Sequence, residues 1–181
     1  MPTSTYKRIP SILGVLEHAH ECTSVLDVGV GFGKYGLLFR EHLDVRRRRY
    51  SQEEWQTTID GVEIWEGYLT PVHQYIYTQI YVGDITKLVD SLPVYDVILL
   101  CDVIEHMPYS DGAELLLRLY EEHLSNAMVV SYPPIIGADW KRWENPSERH
   151  HVIWTADNLK ELFSGHVVVK SPQICYIVKE N

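Results

Sequence analysis

Apolar and polar positions follow two different periods along this chain, and the periods predict alternating strands and helices. Short apolar runs bounded by turn residues are typical of buried strands, whereas apolar residues three or four positions apart are typical of helices that cover a sheet. The run YDVILLCD at 95–102 is apolar on both faces, which predicts a central strand of a parallel sheet. Strands are predicted at 23–28, 57–64, 80–82, 96–101, 126–132, 166–170 and 174–179, and helices at 11–20, 33–43, 66–77, 111–124 and 155–163, with a turn or short helix at 84–92.

This order of elements predicts an α/β fold, a Rossmann-like, doubly wound and mostly parallel seven-stranded sheet with helices on both faces. The last two strands are joined by the tight turn Ser171-Pro172-Gln173, which indicates a C-terminal antiparallel hairpin. A length of 181 residues fits one domain over 1–181, with an N-terminal helix within 1–22 and a substrate-side loop at 133–154. Ser110 or Asp111 is expected to cap helix 111–124, and Thr155 is expected to cap helix 155–163 with Asn158 at its third position.

Glycine recurs at alternate positions immediately after the first predicted strand. In one register, Gly31-x-Gly33-x-x-Gly36 fits the pattern of dinucleotide-binding loops. In the other, Asp27 precedes Gly29, Gly31 and Gly33 at two-residue intervals. A carboxylate at the strand end repels a diphosphate and suits a cationic amino group or sulfonium. The second register is therefore the better interpretation.

The second register resembles motif I of the class I S-adenosylmethionine-dependent methyltransferases, and the order of elements resembles their fold over residues 9–180. This resemblance implies S-adenosyl-L-methionine as cofactor, held by Asp27, Gly29, Gly31 and Gly33. It also implies transfer of a methyl group to an O, N or C atom of a small-molecule acceptor. Two alternatives stay open: a nicotinamide-dependent reductase, and a methyltransferase-like domain that binds the cofactor without catalysis.

The resemblance implies further cofactor contacts at the ends of the second and third strands. In the family, an acid at the position of Glu63 accepts hydrogen bonds from the ribose hydroxyls, and Ile64 and Trp65 would follow against the adenine. An acid at the position of Asp84 takes the adenine amino hydrogens, with the backbone N–H of Ile85 at a ring nitrogen. Asp84 is equally well placed to cap the next helix, and both roles are compatible.

The segment Asp102-x-x-Glu105-His106, at the end of the central strand, resembles the D-x-x-E-H segment of many small-molecule methyltransferases. The backbone near Cys101 and Asp102 is expected to face the methionine part of the cofactor. His106 is a candidate base, since an imidazole with an ordinary pKa near 6.5 suits proton transfer. Glu105 is placed to orient it. The alternative is that both residues only brace the loop.

Aromatic residues and histidines are concentrated in the loop 133–154, where they are expected to form part of a substrate lid. His151, which lies in this loop, is the second candidate base after His106. Trp140, Trp143 and Trp154 are candidates either for the lid or for packing against the sheet. No His, Asp or Glu set has the sequence spacing of metal ligands, so no metal site is expected.

Composition and charge restrict the partners. The net charge of −9 disfavours nucleic acid, and no apolar run reaches the length of about 20 residues that a membrane span requires. The three cysteines lie far apart and the N-terminus lacks an apolar signal segment, which favours a cytoplasmic location. Arg46–Arg49 is interpreted as a solvated loop, with a docking patch for an anionic substrate as the alternative. The sequence leaves open whether the chain forms a homodimer.

Overall fold

The computed structural model describes residues 3–19, 21–134 and 145–179. Seven strands form one sheet in the order β3-β2-β1-β4-β5-β7-β6. The first five strands are parallel, and β7 pairs antiparallel with both β5 and β6. The predicted fold class, with its C-terminal antiparallel hairpin, is confirmed. The strands are β1 (Ser24–Val28), β2 (Thr58–Glu63), β3 (Gln79–Val82), β4 (Tyr95–Cys101), β5 (Leu124–Ser131), β6 (Val167–Ser171) and β7 (Ile174–Val178).

Helices cover both faces of this sheet. They are α1 (Ile9–Leu13), α2 (Lys34–Leu43), α3 (Pro71–Ile76), α4 (Ile85–Leu88), α5 (Tyr109–Arg118) and α6 (Ala156–Leu162). Five further residues, Leu119–His123, continue α5 as a π-helical turn. No helix in the described ranges combines the length and apolarity needed to cross a membrane.

The core consists of two apolar layers, one on each face of the sheet. Along β4, Ile98 and Leu100 point into the layer covered by α4, α5 and α6, whereas Val97 and Leu99 point into the layer covered by α1, α2 and α3. All four side chains are fully buried. The alternation follows from the two-residue period of a strand, and it explains why β4 is apolar at every position from Val97 to Cys101.

Three helix predictions differ from the structure, each for a local reason. The helix expected at 66–77 is divided into a 3-10 turn at Glu66–Tyr68 and α3, which begins at Pro71 because proline fits the first turn of a helix. The helix expected at 111–124 begins at Tyr109 with Pro108 at its N-cap, so neither Ser110 nor Asp111 caps it.

The N-terminal segment is the third difference. Instead of one helix at 11–20, a 3-10 turn at Tyr6–Arg8 leads into α1, and a second 3-10 turn follows at Gly14–His18. Glycine is a poor helix former, and the α-helical geometry ends where Gly14 stands. By contrast, Thr155 caps α6 through a reciprocal capping box with Asn158, as predicted.

The excursion between α2 and β2 is attached to the core by a buried ion pair. Arg40 Nη1 lies 2.6 Å from Asp44 Oδ2, and the Arg40 guanidinium also donates to the carbonyl oxygens of Thr57 and Ile76. Arg49 pairs with the same aspartate at 2.7 Å. The other three arginines of the run, at 46–48, are exposed, which fits the interpretation of a solvated loop.

Candidate functional site

A cavity of about 810 Å³ opens at the carboxyl ends of the parallel strands. This is the usual position of a ligand in an open α/β sheet, and the volume is that of a small-molecule site. Its wall combines the segments after β1, β2, β3 and β4 with Pro133 and residues 145–151. Most of the predicted site residues lie in this wall: Gly29, Gly31, Glu63, Ile64, Asp84, Ile85, Cys101, Asp102, His106 and His151. Asp27, Gly33 and Trp65 do not.

The glycine loop after β1 turns through left-handed backbone conformations. Gly29, Gly31 and Gly33 have φ values of 75°, 52° and 83°. A Cβ on Gly29 would lie 2.7 Å from Cγ2 of Val103, too close for any other residue. Gly33 is buried at the N-cap of α2 and does not line the cavity. Gly29 and Gly31 therefore bring bare backbone to the cavity, and Gly33 starts the helix behind it.

Glu63 holds the glycine loop from the end of β2. One carboxylate oxygen accepts a hydrogen bond from the Gly31 N–H at 3.1 Å, and the other accepts from the Trp65 N–H at 2.9 Å. The residue is only 4% exposed. Burial raises the pKa of this carboxyl, while the two backbone donors oppose the rise. A carboxylate has about four acceptor positions, so Glu63 retains acceptor capacity toward the cavity.

His73 braces the same loop from α3, a role that the sequence did not indicate. The backbone N–H of Thr70 donates to Nδ1 of the buried His73 ring at 3.0 Å. Because Nδ1 accepts, the ring proton lies on Nε2, which donates to the Gly31 carbonyl oxygen at 2.9 Å. The only sequence signal was the pair of positions Thr70 and His73, which form a capping box at the start of α3.

Asp27 lies behind the glycine loop, not in the cavity wall. It is 1% exposed, and its Oδ2 accepts a hydrogen bond of 2.6 Å from the Tyr77 hydroxyl. Burial raises the pKa of Asp27 to about 7, and the hydrogen bonds from Tyr77 and the Gly36 N–H limit the rise. In this arrangement Asp27 is placed to support the loop from behind.

Asp84 is the N-cap of α4, which confirms the capping interpretation. Its Oδ1 accepts hydrogen bonds from the Thr86 N–H at 3.0 Å and the Thr86 hydroxyl at 2.8 Å. Asp84, Ile85 and Thr86 still line the cavity. The cap fixes the backbone of this turn, so the polar groups after β3 have a defined position toward a ligand.

Asp102 has a left-handed backbone, with φ 58°, where the chain leaves β4. Such a conformation costs energy in a residue other than glycine and is typical of functional sites. The carboxylate forms an ion pair with Arg8 and accepts from the Ser131 hydroxyl at 3.4 Å. The Lys34 ammonium donates to the Ser4 carbonyl oxygen. These contacts attach the N-terminal segment to the cavity wall.

Glu105, His106 and His150 lie close together in the cavity wall. Their potential metal-ligand atoms are all within 4.8 Å of one another, and the imidazole rings of His106 and His150 are nearly perpendicular, with centroids 4.8 Å apart. Burial raises the pKa of Glu105 well above its ordinary value and lowers that of His106. The predicted orientation of His106 by Glu105 is not observed, because neither oxygen of Glu105 has a hydrogen-bond partner among the described residues.

The described part of the loop that was predicted to form a substrate lid contributes the carboxyl group of Glu148 to the cavity wall. Glu148 accepts a hydrogen bond from the Tyr68 hydroxyl at 2.9 Å, and burial raises the pKa of Glu148. Trp154 is buried, stacks on Tyr109 and donates to the Ile104 carbonyl oxygen at 3.1 Å, so it has the packing role. Trp140 and Trp143 lie outside the described residues.

Carboxyl groups dominate the charged lining of the cavity. Among the described residues, Lys34 is the one lysine or arginine in the wall, and burial lowers its pKa. The acidic side chains in the wall are Glu63, Asp84, Asp102, Glu105, Asp111 and Glu148. Charges of this sign disfavour an anionic ligand and suit a neutral or cationic one.

Solved structures with this architecture carry methyltransferase names, whereas neither a protein-family model nor a curated protein matches the chain. A putative O-methyltransferase from Nostoc punctiforme has a TM-score of 0.65 at 17% identity, over 96% of this chain and 57% of that one. An amino pentose methyltransferase from Micromonospora echinaspora, solved with S-adenosylmethionine bound, has a TM-score of 0.64 at 11% identity, over 98% and 92%.

The small RNA methyltransferase HEN1 has a TM-score of 0.60 at 19% identity, over all of this chain and 26% of that one. The similarities establish the fold of this chain as the Rossmann-like fold of class I S-adenosylmethionine-dependent methyltransferases. The acceptors named for these proteins range from an amino pentose to small RNA. The fold alone therefore leaves the acceptor open.

Proposed function

We propose that this protein is an S-adenosylmethionine-dependent methyltransferase that acts on a small-molecule acceptor. The observation that carries the proposal is the pairing of Glu63 with the glycine loop in the wall of a cavity of about 810 Å³. A strand-end carboxylate that accepts from a loop N–H and keeps free lone pairs is suited to a ribose diol. The fold and the acidic lining agree with this assignment.

The residues of the cavity fit the cofactor. Gly29 and Gly31 expose backbone in conformations that leave no side chain between loop and ligand. Glu63 is assigned to the ribose hydroxyls, and Ile64, Asp84 and Ile85 to the adenine. The segment at Cys101 and Asp102 is assigned to the methionine part, with Asp27 and Gly33 supporting the loop from behind. When bound, the cofactor supplies an electrophilic methyl group on a sulfonium.

The acceptor part of the cavity is assigned to the segments at 103–111 and 145–151, which contribute lining residues that are not assigned to the cofactor. The chain's contribution there is to align an O, N or C atom of the acceptor and to exclude water. His106 and His151, both in the wall, are the candidate bases for a hydroxyl acceptor. The excess of carboxyl groups favours a neutral or cationic acceptor over a phosphorylated one.

Calorimetric titration with S-adenosylhomocysteine, and separately with NADH, tests the cofactor assignment. We expect micromolar binding of S-adenosylhomocysteine and none of NADH. Glu63→Gln should weaken binding by about 10- to 100-fold, because charge-assisted hydrogen bonds contribute about 1.5–3 kcal/mol. Asp111→Asn, a change at an exposed cavity carboxylate that is not assigned to the cofactor, is the matched control and should change the affinity for S-adenosylhomocysteine by less than about twofold.

Three results would contradict the proposal. Binding of NADH but not of S-adenosylhomocysteine would favour the nicotinamide-dependent reductase, whose dinucleotide-binding pattern is formed by Gly31, Gly33 and Gly36. Equal affinity for S-adenosylhomocysteine in the wild type and Glu63→Gln would remove Glu63 from the site. Binding without methyl transfer to any of a panel of hydroxyl and amino acceptors would favour the non-catalytic alternative.

A further inference from the structure

Three side chains with the chemistry of metal ligands converge in the cavity wall from two separate segments. Glu105 and His106 belong to the 3-10 turn after β4, and His150 follows the 3-10 turn at Pro146–Glu148. One potential ligand atom from each lies within 4.8 Å of those of the other two. A single ion placed among three such atoms can reach all of them after small side-chain rotations, since ligand bonds to transition metals are about 2.0–2.2 Å long.

The backbone holds the two segments together. The His151 N–H donates to the carbonyl oxygen of Glu105 at 2.7 Å, directly beside the three side chains. Nδ1 of His106 lies 3.4 Å from the carbonyl oxygen of Arg149. A carbonyl oxygen only accepts, so this contact places the ring proton on Nδ1 and leaves the lone pair on Nε2. Metal-bound histidines usually have this second hydrogen bond.

The buried carboxyl group of Glu105 is an independent observation that points to a cation. The residue is 1% exposed, and neither carboxylate oxygen has a hydrogen-bond partner among the described residues. Burying a carboxylate without a partner is costly, so buried carboxylates are ordinarily paired or coordinate metals. The neighbouring carboxyl group of Asp102 cannot serve as a partner, because it adds negative charge and is itself paired with Arg8.

We propose that Glu105, His106 and His150 bind a divalent transition-metal ion in the acceptor part of the cavity. Two imidazoles and one carboxylate are the ligand set of open zinc sites and of several iron sites, which keep a further position for water or substrate. All three residues line the cavity, so that open position faces the acceptor. The sequence spacing predicts no metal site here, because His150 lies 44 positions after His106.

The site also narrows the acceptor, and this part rests on the proposed methyltransferase function. Such an ion coordinates and activates a hydroxyl oxygen, because metal binding strongly lowers the pKa of the bound group. The acceptor would then be a hydroxyl compound. His106, as a ligand, would no longer be available as a base, and His151 would remain.

The test is a titration of chelator-treated protein with Zn²⁺ by calorimetry and with Co²⁺ by visible absorption, which reports the ligand geometry of cobalt. We expect one ion per chain. Glu105→Gln and His150→Ala should each weaken binding by at least about 100-fold. His151→Ala is the matched control, because His151 is adjacent, lines the same cavity and does not belong to the three ligands. It should bind Zn²⁺ with an affinity within about twofold of the wild type.

Thermal unfolding of the metal-free variants shows whether each variant is folded, so that a loss of metal binding can be attributed to the missing ligand. Glu105→Gln preserves shape and removes the unpartnered charge, so the metal-free variant should be at least as stable as the wild type. Absence of Zn²⁺ and Co²⁺ binding by folded wild type would overturn the proposal, as would equal affinities in all variants. Titration of the same samples with S-adenosylhomocysteine separates the two proposals: cofactor binding without metal binding overturns only the metal site, and the reverse overturns only the cofactor site.

Discussion

Replacing Asp27 by asparagine should change how the stability of the protein depends on pH. The buried carboxyl of Asp27 has a pKa of about 7 in the folded protein, against an ordinary value of 3.8. At about 1.36 kcal/mol for each pKa unit, the full difference amounts to about 4 kcal/mol. Asparagine has nearly the same shape and does not ionise.

The direction of the effect follows from proton binding. Below about pH 4, Asp27 is protonated in both the folded and the unfolded state. Between about pH 4 and pH 7 only the folded state retains the proton, so the contribution of this group to the free energy of unfolding decreases as pH rises. Above about pH 7 both states are ionised and the contribution is lost. Relative to wild type, Asp27→Asn should therefore gain up to about 4 kcal/mol between pH 4 and pH 8.

Urea unfolding monitored by tryptophan fluorescence at pH 5, 6, 7 and 8 measures this difference. A control variant, Asp90→Asn, removes a carboxylate whose side chain is 76% exposed, and its difference from wild type should vary little with pH. A constant difference between Asp27→Asn and wild type at all four values would refute the reasoning. It would mean that Asp27 is ionised at pH 5 despite its burial.

Two further predictions concern the framework around the site. Arg40→Met should destabilise the protein by about 3 kcal/mol in urea unfolding, because it leaves the fully buried Asp44 with one ion-pair partner fewer; a loss below about 1 kcal/mol would show that Arg49 compensates. Thr155→Ala should lower the free energy of unfolding by about 1 kcal/mol because it removes the cap of α6, whereas Thr155→Ser should keep most of that stability. Equal losses of stability in both variants would argue against the hydroxyl as the cap.

Local sequence patterns were sufficient for the sheet and for the glycine loop. Strand β4 was predictable because a continuous apolar run of this length is compatible with few other structures. The cap at Thr155 was predictable because its partner, Asn158, is only three residues away. The break at Pro71 also had a local signal, since Thr70-Pro71 is a typical helix start. The errors in these elements concern where each helix begins and ends.

Contacts between distant segments were not predictable in the same way. The approach of His150 to Glu105 depends on the path of a long loop, which no periodicity encodes. The hydrogen bond of Asp27 with Tyr77 joins two residues that are fifty positions apart in the sequence. The role of His73 at Gly31 likewise follows from the packing of α3 beside the loop. Sequence spacing places such residues on elements but does not determine which elements meet.

The most direct test of the central claim is a crystal structure of the protein with S-adenosylhomocysteine. We predict that the ligand occupies the cavity at the carboxyl ends of β1, β2 and β4, with its ribose hydroxyls within hydrogen-bonding distance of Glu63 and no direct contact with Asp27. Ligand bound elsewhere, or bound in the cavity with the ribose away from Glu63, would contradict the assignment of this site.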